Sequence, residues 1–278
     1  MIDRYIGRLR ERFADNGPDG NGVEDIPFIQ QTLSRKTVRR YTNRIPSAHL
    51  LDLLVATALS ASAKSDFQQA SILRVVDAQK RAAIDSLIQT MPWIGNAPAF
   101  YIFLGDARRL ERIGEMRGKM ITNGSLEGFF NAAIDAALVM QTFILAAESA
   151  GLGCCPISVI RDRIADIAQI CELPDKVFPV AGLCVGYPAD QGHVSLRLPR
   201  SVTVHLDRYD EGDLERQIDG YDRARDARHP ILRDQQRAPG SFGHATFYGW
   251  SEDKARQATN ADGTAFSSYL RTHGFTFD

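Results

Sequence analysis

Three large enzyme classes are excluded by what this 278-residue chain lacks. No Gly-x-Gly-x-x-Gly follows a strand-like run, and there is no P-loop and no Gly-x-Ser-x-Gly elbow, so a Rossmann dehydrogenase, an NTPase and a serine hydrolase each miss their defining turn. Cysteine is scarce: Cys154, Cys155, Cys171 and Cys184 form no C-x-x-C pair, have no His three or four residues away, and read as reduced thiols without a metal. A disulfide between the adjacent Cys154 and Cys155 would be strained. Net charge is nearly absent, −1 at pH 7, which removes the electrostatic case for nucleic acid or an anionic membrane as partner. The most apolar stretch, Ala136 to Ala147, runs only 12 residues without a charge, against roughly 20 for a bilayer span. Residues Met1 to Phe13 carry charges throughout and lack a secretory signal's apolar core. These absences leave the expectation of a cytoplasmic protein with a small-molecule partner.

What is present suits a globular core, since 44% of the residues are hydrophobic. Tyr5, Ile6, Leu9 and Phe13 recur near helical spacing and predict a short amphipathic helix, which the turn-rich DNGPDGNG at 15–22 breaks. That linker divides a helix-and-linker segment, 1–25, from a main domain over 26–278 with a polar extension from about residue 209. Pro46 and Ser47 open a helix aligning Leu50, Leu51, Leu54, Val55 and Ala58. Ala70–Asp77 reads as a strand with Ile72 and Val76 on one face, followed by a helix over about Lys80–Gln89. Ala99–Gly105 and Phe178–Gly186 are nearly continuous in aromatic and branched residues, as strands covered on both faces are.

Glu127–Ala150 is the longest helical pattern, apolar nearly all round. Asn131, Asp135, Gln141 and Glu148 interrupt it, which fits burial partly in its own subunit and partly in a partner. Arg161–Cys171 predicts a further helix, Val202–His205 a short strand, and the stretch after Trp250 a helix capped by Ser251. Helices and strands do not alternate as regular βαβ units, so the pattern predicts a mixed α+β layer architecture.

Three segments carry candidate chemistry. Arg35-Lys36-Thr37-Val38-Arg39-Arg40-Tyr41 gathers four cations and a hydroxyl that can clamp a phosphate, although composition alone equally describes a solvated basic turn. The small polar run Ser60 to Gln69 lets a flat ring approach the backbone, or is a plain surface loop. Gly151 to Arg161 is a helix stop, a short apolar segment and a new helix; its backbone N–H groups can receive an anion, or it is an ordinary connector.

In order, RKTVRRYT, ALSASAKSDFQQ, APAFYIFLGD, AAESAGLGCCPISVIR and LPDKVFPVAGLCVGYPAD resemble the nitroreductase family, in its branch of larger NAD(P)H-dependent nitroreductases and flavin reductases. The likeness runs from about Ser34 to Val204. It implies an α+β fold with a mostly antiparallel central sheet flanked by helices, and an intertwined homodimer with FMN at the subunit interface. It further implies hydride transfer from NADPH or NADH through FMN to a small electron acceptor such as a nitroaromatic, a quinone or free flavin, in ping-pong order. By position, Arg35 and Arg197 would hold the FMN phosphate, with Lys36 and Thr37 lining the same pocket and Arg39 beside the pyrimidine edge of the ring as an electrostatic stabiliser. Ser65, Asp66 and Gln68 would contact the flavin from the polar loop, and Pro156, Ile157, Ser158 and Val159 would face its other side. Ser65 and Arg161 would meet the substrate. No general acid or base is required, because the flavin carries the chemistry. A dedicated single-pathway reductase, or a flavin-binding module without turnover, fits the same residues.

The chain departs from the family pattern at two places. Ser158 and Val159 stand where relatives often have glycine, which would crowd the ring face. Thr264 falls near the position where an arginine would hold a nicotinamide phosphate; Arg228, Arg233, Arg237 and Arg256 are substitutes, with a solvated surface as the alternative fate of each.

Overall fold

The computed structural model describes residues 3–14, 24, 26–121, 123–259 and 263–277. Its longer elements, in chain order, are α1 (Asp3–Arg12), α2 (Pro27–Leu33), α3 (Ala48–Ala58), β1 (Ala70–Arg74), α4 (Ala78–Leu87), β2 (Ala99–Asp106), α5 (Arg108–Met116), α6 (Leu126–Ser149), β3 (Gly153–Ile157), α7 (Ile164–Ile170), β4 (Val177–Gly186), α8 (Leu214–Asp226), α9 (Trp250–Thr259) and α10 (Thr264–Thr272). The chain divides into two compact units: residues 1–35 with 193–262, and residues 36–192 with 263–278. Most of the linker at 15–25 lies outside the described residues.

The unit built on 36–192 is an α+β layer structure around one antiparallel sheet of order β1-β2-β4-β3. Its central strands are buried on both faces because alternate residues enter two different cores. Tyr101 and Phe103 of β2 and Leu183 and Val185 of β4 face α3 and α6, while Phe100, Ile102 and Cys184 join Ile84, Ile157 and Ile167 on the other side. On the first face Phe143 of α6 meets the rings of Tyr101 at 4.9 Å and Phe103 at 5.8 Å. A third cluster joins Phe178 of β4 to Phe129, Phe275 and the apolar side of α10. Ser47 caps α3, accepting from the Leu50 N–H at 3.2 Å, as its place before the apolar run predicts.

By length and composition α6 is a helix that can cross a membrane; here it lies along the sheet, burying Ala136, Val139, Phe143 and Ala147. Leu126, Phe130, Ile134 and Leu138, at i, i+4 spacing on α6, remain exposed. The four cysteines are free, and three of them are buried.

Five local expectations are corrected or made specific. β1 ends at Arg74, leaving Val76 75% exposed, because the Asp77 side chain accepts from the Gln79 and Lys80 N–H groups and starts α4. The short apolar segment expected after the Gly151 helix stop is a strand, Gly153–Ile157. The helix expected over Arg161–Cys171 is a 3-10 turn at Val159–Arg161 followed by α7. Val202–His205 is not a strand: Arg200–Thr203 is a helical turn set off by Pro199. Ser251 does not cap α9; Asp222 of α8 does, accepting from the Ser251 N–H at 3.0 Å and from its hydroxyl. This last contact belongs to the other unit, in which α8 and α9 pack together.

Candidate functional site

The basic segment is held as an extra edge on β3. Thr37 bridges Cys154 in parallel, and the Val38 N–H donates to the Cys154 carbonyl at 3.0 Å. This approach requires Gly153, where a Cβ would lie 2.5 Å from Val38 Cγ2. The Tyr41 hydroxyl donates to the carbonyls of Val38 at 2.7 Å and Cys184 at 3.3 Å. Burial, then the neighbouring thiols, push the Tyr41 phenol far up, so it remains a donor. The same burial raises the Cys184 thiol, which rules it out as a nucleophile at neutral pH.

The cations of this segment have different fates. Arg40 pairs with Asp190 at 2.6 Å. Arg44 stacks 4.0 Å from the Tyr187 ring centroid, and Arg39 lies 5.6 Å from that of Trp93. Among the described residues, Lys36, Arg39 and Arg197 have no carboxylate within ion-pair distance. At the far end of β3, Pro156 and Ser158 are exposed and Val159 half-buried. Ile157 is buried in the second core, so it presents only its main chain to a ligand. Arg161 is committed, donating to the Val180 carbonyl at 2.5 Å.

The polar loop leaves from the opposite edge of the sheet, at β1. Ser65, Asp66 and Gln68 all have left-handed backbone, with φ of 49°, 58° and 53°, a conformation that costs a residue bearing Cβ about 1–2 kcal/mol. Asp135 of α6 holds them there. Its carboxylate is 1% exposed and accepts from the Lys64 N–H and the Gln69 N–H, both at 2.9 Å. Of the polar residues that interrupt α6, Asp135 belongs to the part buried within its own subunit. An acid in the apolar stripe of a helix, with a small polar loop nearby in sequence, was the available signal. Arg109 adds to the clamp by donating to the carbonyls of Gln68 and Ala70. The outward-facing Gln68 amide donates to Asp66 at 3.0 Å.

Arg35 and Arg197 lie in the other unit. Their main chains are joined through Arg12, a residue that sequence reasoning passed over. Arg12 is 5% exposed; it donates to the carbonyl of Arg35, and its own carbonyl accepts from the Arg197 N–H at 2.7 Å. Its place on the Tyr5–Leu9 face of α1 was the signal. Arg197 itself is exposed and lines a pocket of about 480 Å³ with Arg225 and Trp250.

Of the arginines considered for the nicotinamide phosphate, Arg228 donates to the Arg10 and Glu11 carbonyls and Arg237 pairs with Asp253 at 3.0 Å. Arg256 is not solvated: it is 4% exposed, bonded to Glu252 and to the carbonyls of Arg237 and Gly243. Arg233 makes no such contact among the described residues.

The donor set fits a flavin mononucleotide. Taken one by one, Lys36 and Arg197, with no carboxylate partner among the described residues, are each suited to a phosphate oxygen, Arg39 to an electron-rich ring edge, and the polar loop 60–69 supplies amides, hydroxyls and a small-residue approach. In the unit built on 36–192, an antiparallel sheet faced by a long apolar helix carries Lys36 and Arg39 on the segment along its β3 edge. The match to known proteins makes this specific. Residues 32–187 match the model of the nitroreductase family. An FMN reductase [NAD(P)H] of Bacillus subtilis is 33% identical over 70% of this chain and 79% of its own length. An oxygen-insensitive NADPH nitroreductase of Salmonella typhimurium is 31% identical over 70% of this chain and 80% of its own. Among solved structures, the NfrA1 nitroreductase of B. subtilis superposes with a TM-score of 0.80 at 28% identity, covering 89% of this chain and 98% of that one. The NADPH:FMN oxidoreductase of Vibrio harveyi complexed with NAD+ gives 0.78 at 25% identity, with 89% and 98% covered. The chain belongs to the nitroreductase family, and with it to the oxidoreductases.

Proposed function

We propose that this chain is an NAD(P)H-dependent FMN oxidoreductase that works as a homodimer and reduces small electron-poor acceptors, namely nitroaromatics, quinones or free flavin, in ping-pong order. The observation that carries the reading is the set of cations Lys36, Arg39 and Arg197, each without a carboxylate partner among the described residues of a chain of net charge −1. When bound, FMN takes two electrons from the nicotinamide and passes them to the acceptor.

The protein's residues bind, orient and polarise. Arg35 and Arg197, with Lys36 and Thr37, hold the phosphate. Arg39 sets a permanent positive charge against the ring edge on which electrons accumulate, so the stabilisation is already in place when transfer begins. Ser65, Asp66 and Gln68 meet the ring's heteroatoms, with Ser65 also toward the acceptor. Pro156, the Ile157 main chain, Ser158 and Val159 form the opposite wall, and Arg161, pinned to β4, borders it.

These two walls leave from opposite edges of the sheet, three strand spacings or about 14 Å apart. A second copy supplies the missing wall, and the exposed Leu126–Phe130–Ile134–Leu138 stripe supports such an interface.

Anaerobic addition of NADH and NADPH to the flavin-loaded protein tests the reading. The visible flavin absorbance is expected to bleach with at least one donor and return with a quinone. A colourless protein whose melting temperature does not respond to FMN sinks it. Arg39→Ala is expected to slow flavin reduction by more than it weakens FMN binding, and Arg197→Ala to loosen FMN chiefly; the same binding defect with normal reduction in both would contradict the assigned roles.

A further inference from the structure

Arg12 sits at the end of α1 on its inward face, and each of its three guanidinium nitrogens donates to a carbonyl. Nε donates to Leu33 at 2.9 Å, Nη1 to Ser195 at 3.0 Å and Nη2 to Arg35. Its own carbonyl accepts from Arg197, and the next residue, Phe13, pairs with Arg197 as a one-residue parallel bridge. One side chain and one peptide therefore join the segment ending at Arg35 to the segment carrying Arg197. A guanidinium is planar with donors at fixed angles, so carbonyls gripped by one are held at a fixed separation; an ammonium matches the charge but not the directions. Arg228, two residues past the end of α8, anchors this end of α1 from outside, donating to the Arg10 and Glu11 carbonyls at 2.8 and 2.7 Å, where a helix has unsatisfied acceptors. The family match begins at residue 32, so α1 lies outside it.

We infer that α1 is a positioning element for the cofactor: Arg12 fixes the spacing of the main chain at Arg35 and Arg197, so that both guanidiniums meet one phosphate monoester. This rests on the reading that those two arginines hold the FMN phosphate. Arg12 touches no cofactor atom; it acts through the two backbone segments.

Comparing FMN with riboflavin, which has the same ring and no phosphate, isolates phosphate recognition from ring binding. The flavin-stripped full chain is titrated with each by fluorescence, and the ratio of the two Kd values is read. Wild type is expected to prefer FMN. Arg12→Met is expected to lower that preference at least about tenfold, the worth of one hydrogen bond to a charged group, with riboflavin affinity unchanged. Arg12→Lys keeps the charge without the fork and is expected to lose most of the preference too; a wild-type ratio in Arg12→Lys overturns the geometric role. Arg228→Ala loosens the same helix end from the surface, with an expected loss of about threefold, and decides the matter if Arg12→Met does not fold. A wild type that prefers FMN, with unchanged ratios in the Arg12 and Arg228 variants, overturns the role of α1 alone. A wild type that binds both flavins equally overturns the phosphate assignment instead.

Discussion

Asp135→Asn removes one of two matched acceptors from beneath the polar loop and is nearly isosteric. Each hydrogen bond from a backbone N–H to a buried carboxylate is worth about 1.5–3 kcal/mol net, so the pair contributes about 3–6 kcal/mol. Against this stand three left-handed residues at about 1–2 kcal/mol each, again about 3–6 kcal/mol. The loop at 64–69 is thus balanced near zero by one carboxylate. In the asparagine variant one oxygen becomes an NH2 that faces an N–H, which costs about 2–4 kcal/mol. Total stability of a protein this size is about 5–15 kcal/mol, so the fold survives while the loop opens locally. Hydrogen exchange is the assay. The Lys64 and Gln69 amides are expected to lose about 30- to 1000-fold of their protection, at 1.4 kcal/mol per decade, with β2 amides unchanged. Adding Ser65→Gly or Gln68→Gly to the variant should restore about 1 kcal/mol each, because glycine relieves the backbone cost. Unaltered exchange at Lys64 and Gln69 would refute the balance.

Burial lifts the Tyr101 and Tyr269 phenols from 10.0 to about 12. A folded pKa above the unfolded one gives stability that is full below pH 10 and lost as pH rises through about 12; tyrosinate absorbance should show these two ionising only as helical CD is lost, and complete ionisation of all 8 tyrosines near pH 10 in folded protein would contradict this. Gly153→Ala drives a Cβ into Val38 and is expected to cost about 1–3 kcal/mol in urea melts and to weaken FMN binding by lifting Lys36–Arg39 off β3; a variant with wild-type stability and affinity would show that this close approach is dispensable. Phe130→Asp places a charge in the exposed stripe of α6, and sedimentation is expected to find a monomer with weakened flavin retention; a variant still dimeric would move the interface elsewhere.

Legibility in the sequence followed how far a residue's environment is set by its neighbours in the chain. β2 and β4 were evident because strands buried on both faces must be apolar throughout, and α6 because twenty-odd residues average out local noise. β3 was hidden by Pro156, which reads as a break; an edge strand tolerates it, since only one side of the strand is fully paired. Val202 and Thr203 have strand propensity, but Pro199 and a Val204-to-Arg200 hydrogen bond close a helical turn first. At the candidate site, the contiguous motif residues were readable one by one, whereas Asp135 and Arg12 act on segments 66–71 and 21–183 residues away. Such pairings are properties of the tertiary fold, and composition marks them only as charges on the wrong face of a helix. The cap of α9 failed to be read for the same reason, its acceptor lying 29 residues upstream on α8.

The unit that carries Arg12 is assembled from two stretches, 1–35 and 193–262, with 157 residues of other chain between them. At about 5–20 residues per second of synthesis, Arg12 waits roughly 8–30 seconds for the segment that carries Ser195 and Arg197. Until then α1 can pair only with α2 and the Leu33 and Arg35 carbonyls, and loading of a phosphorylated cofactor is deferred until the second stretch has emerged.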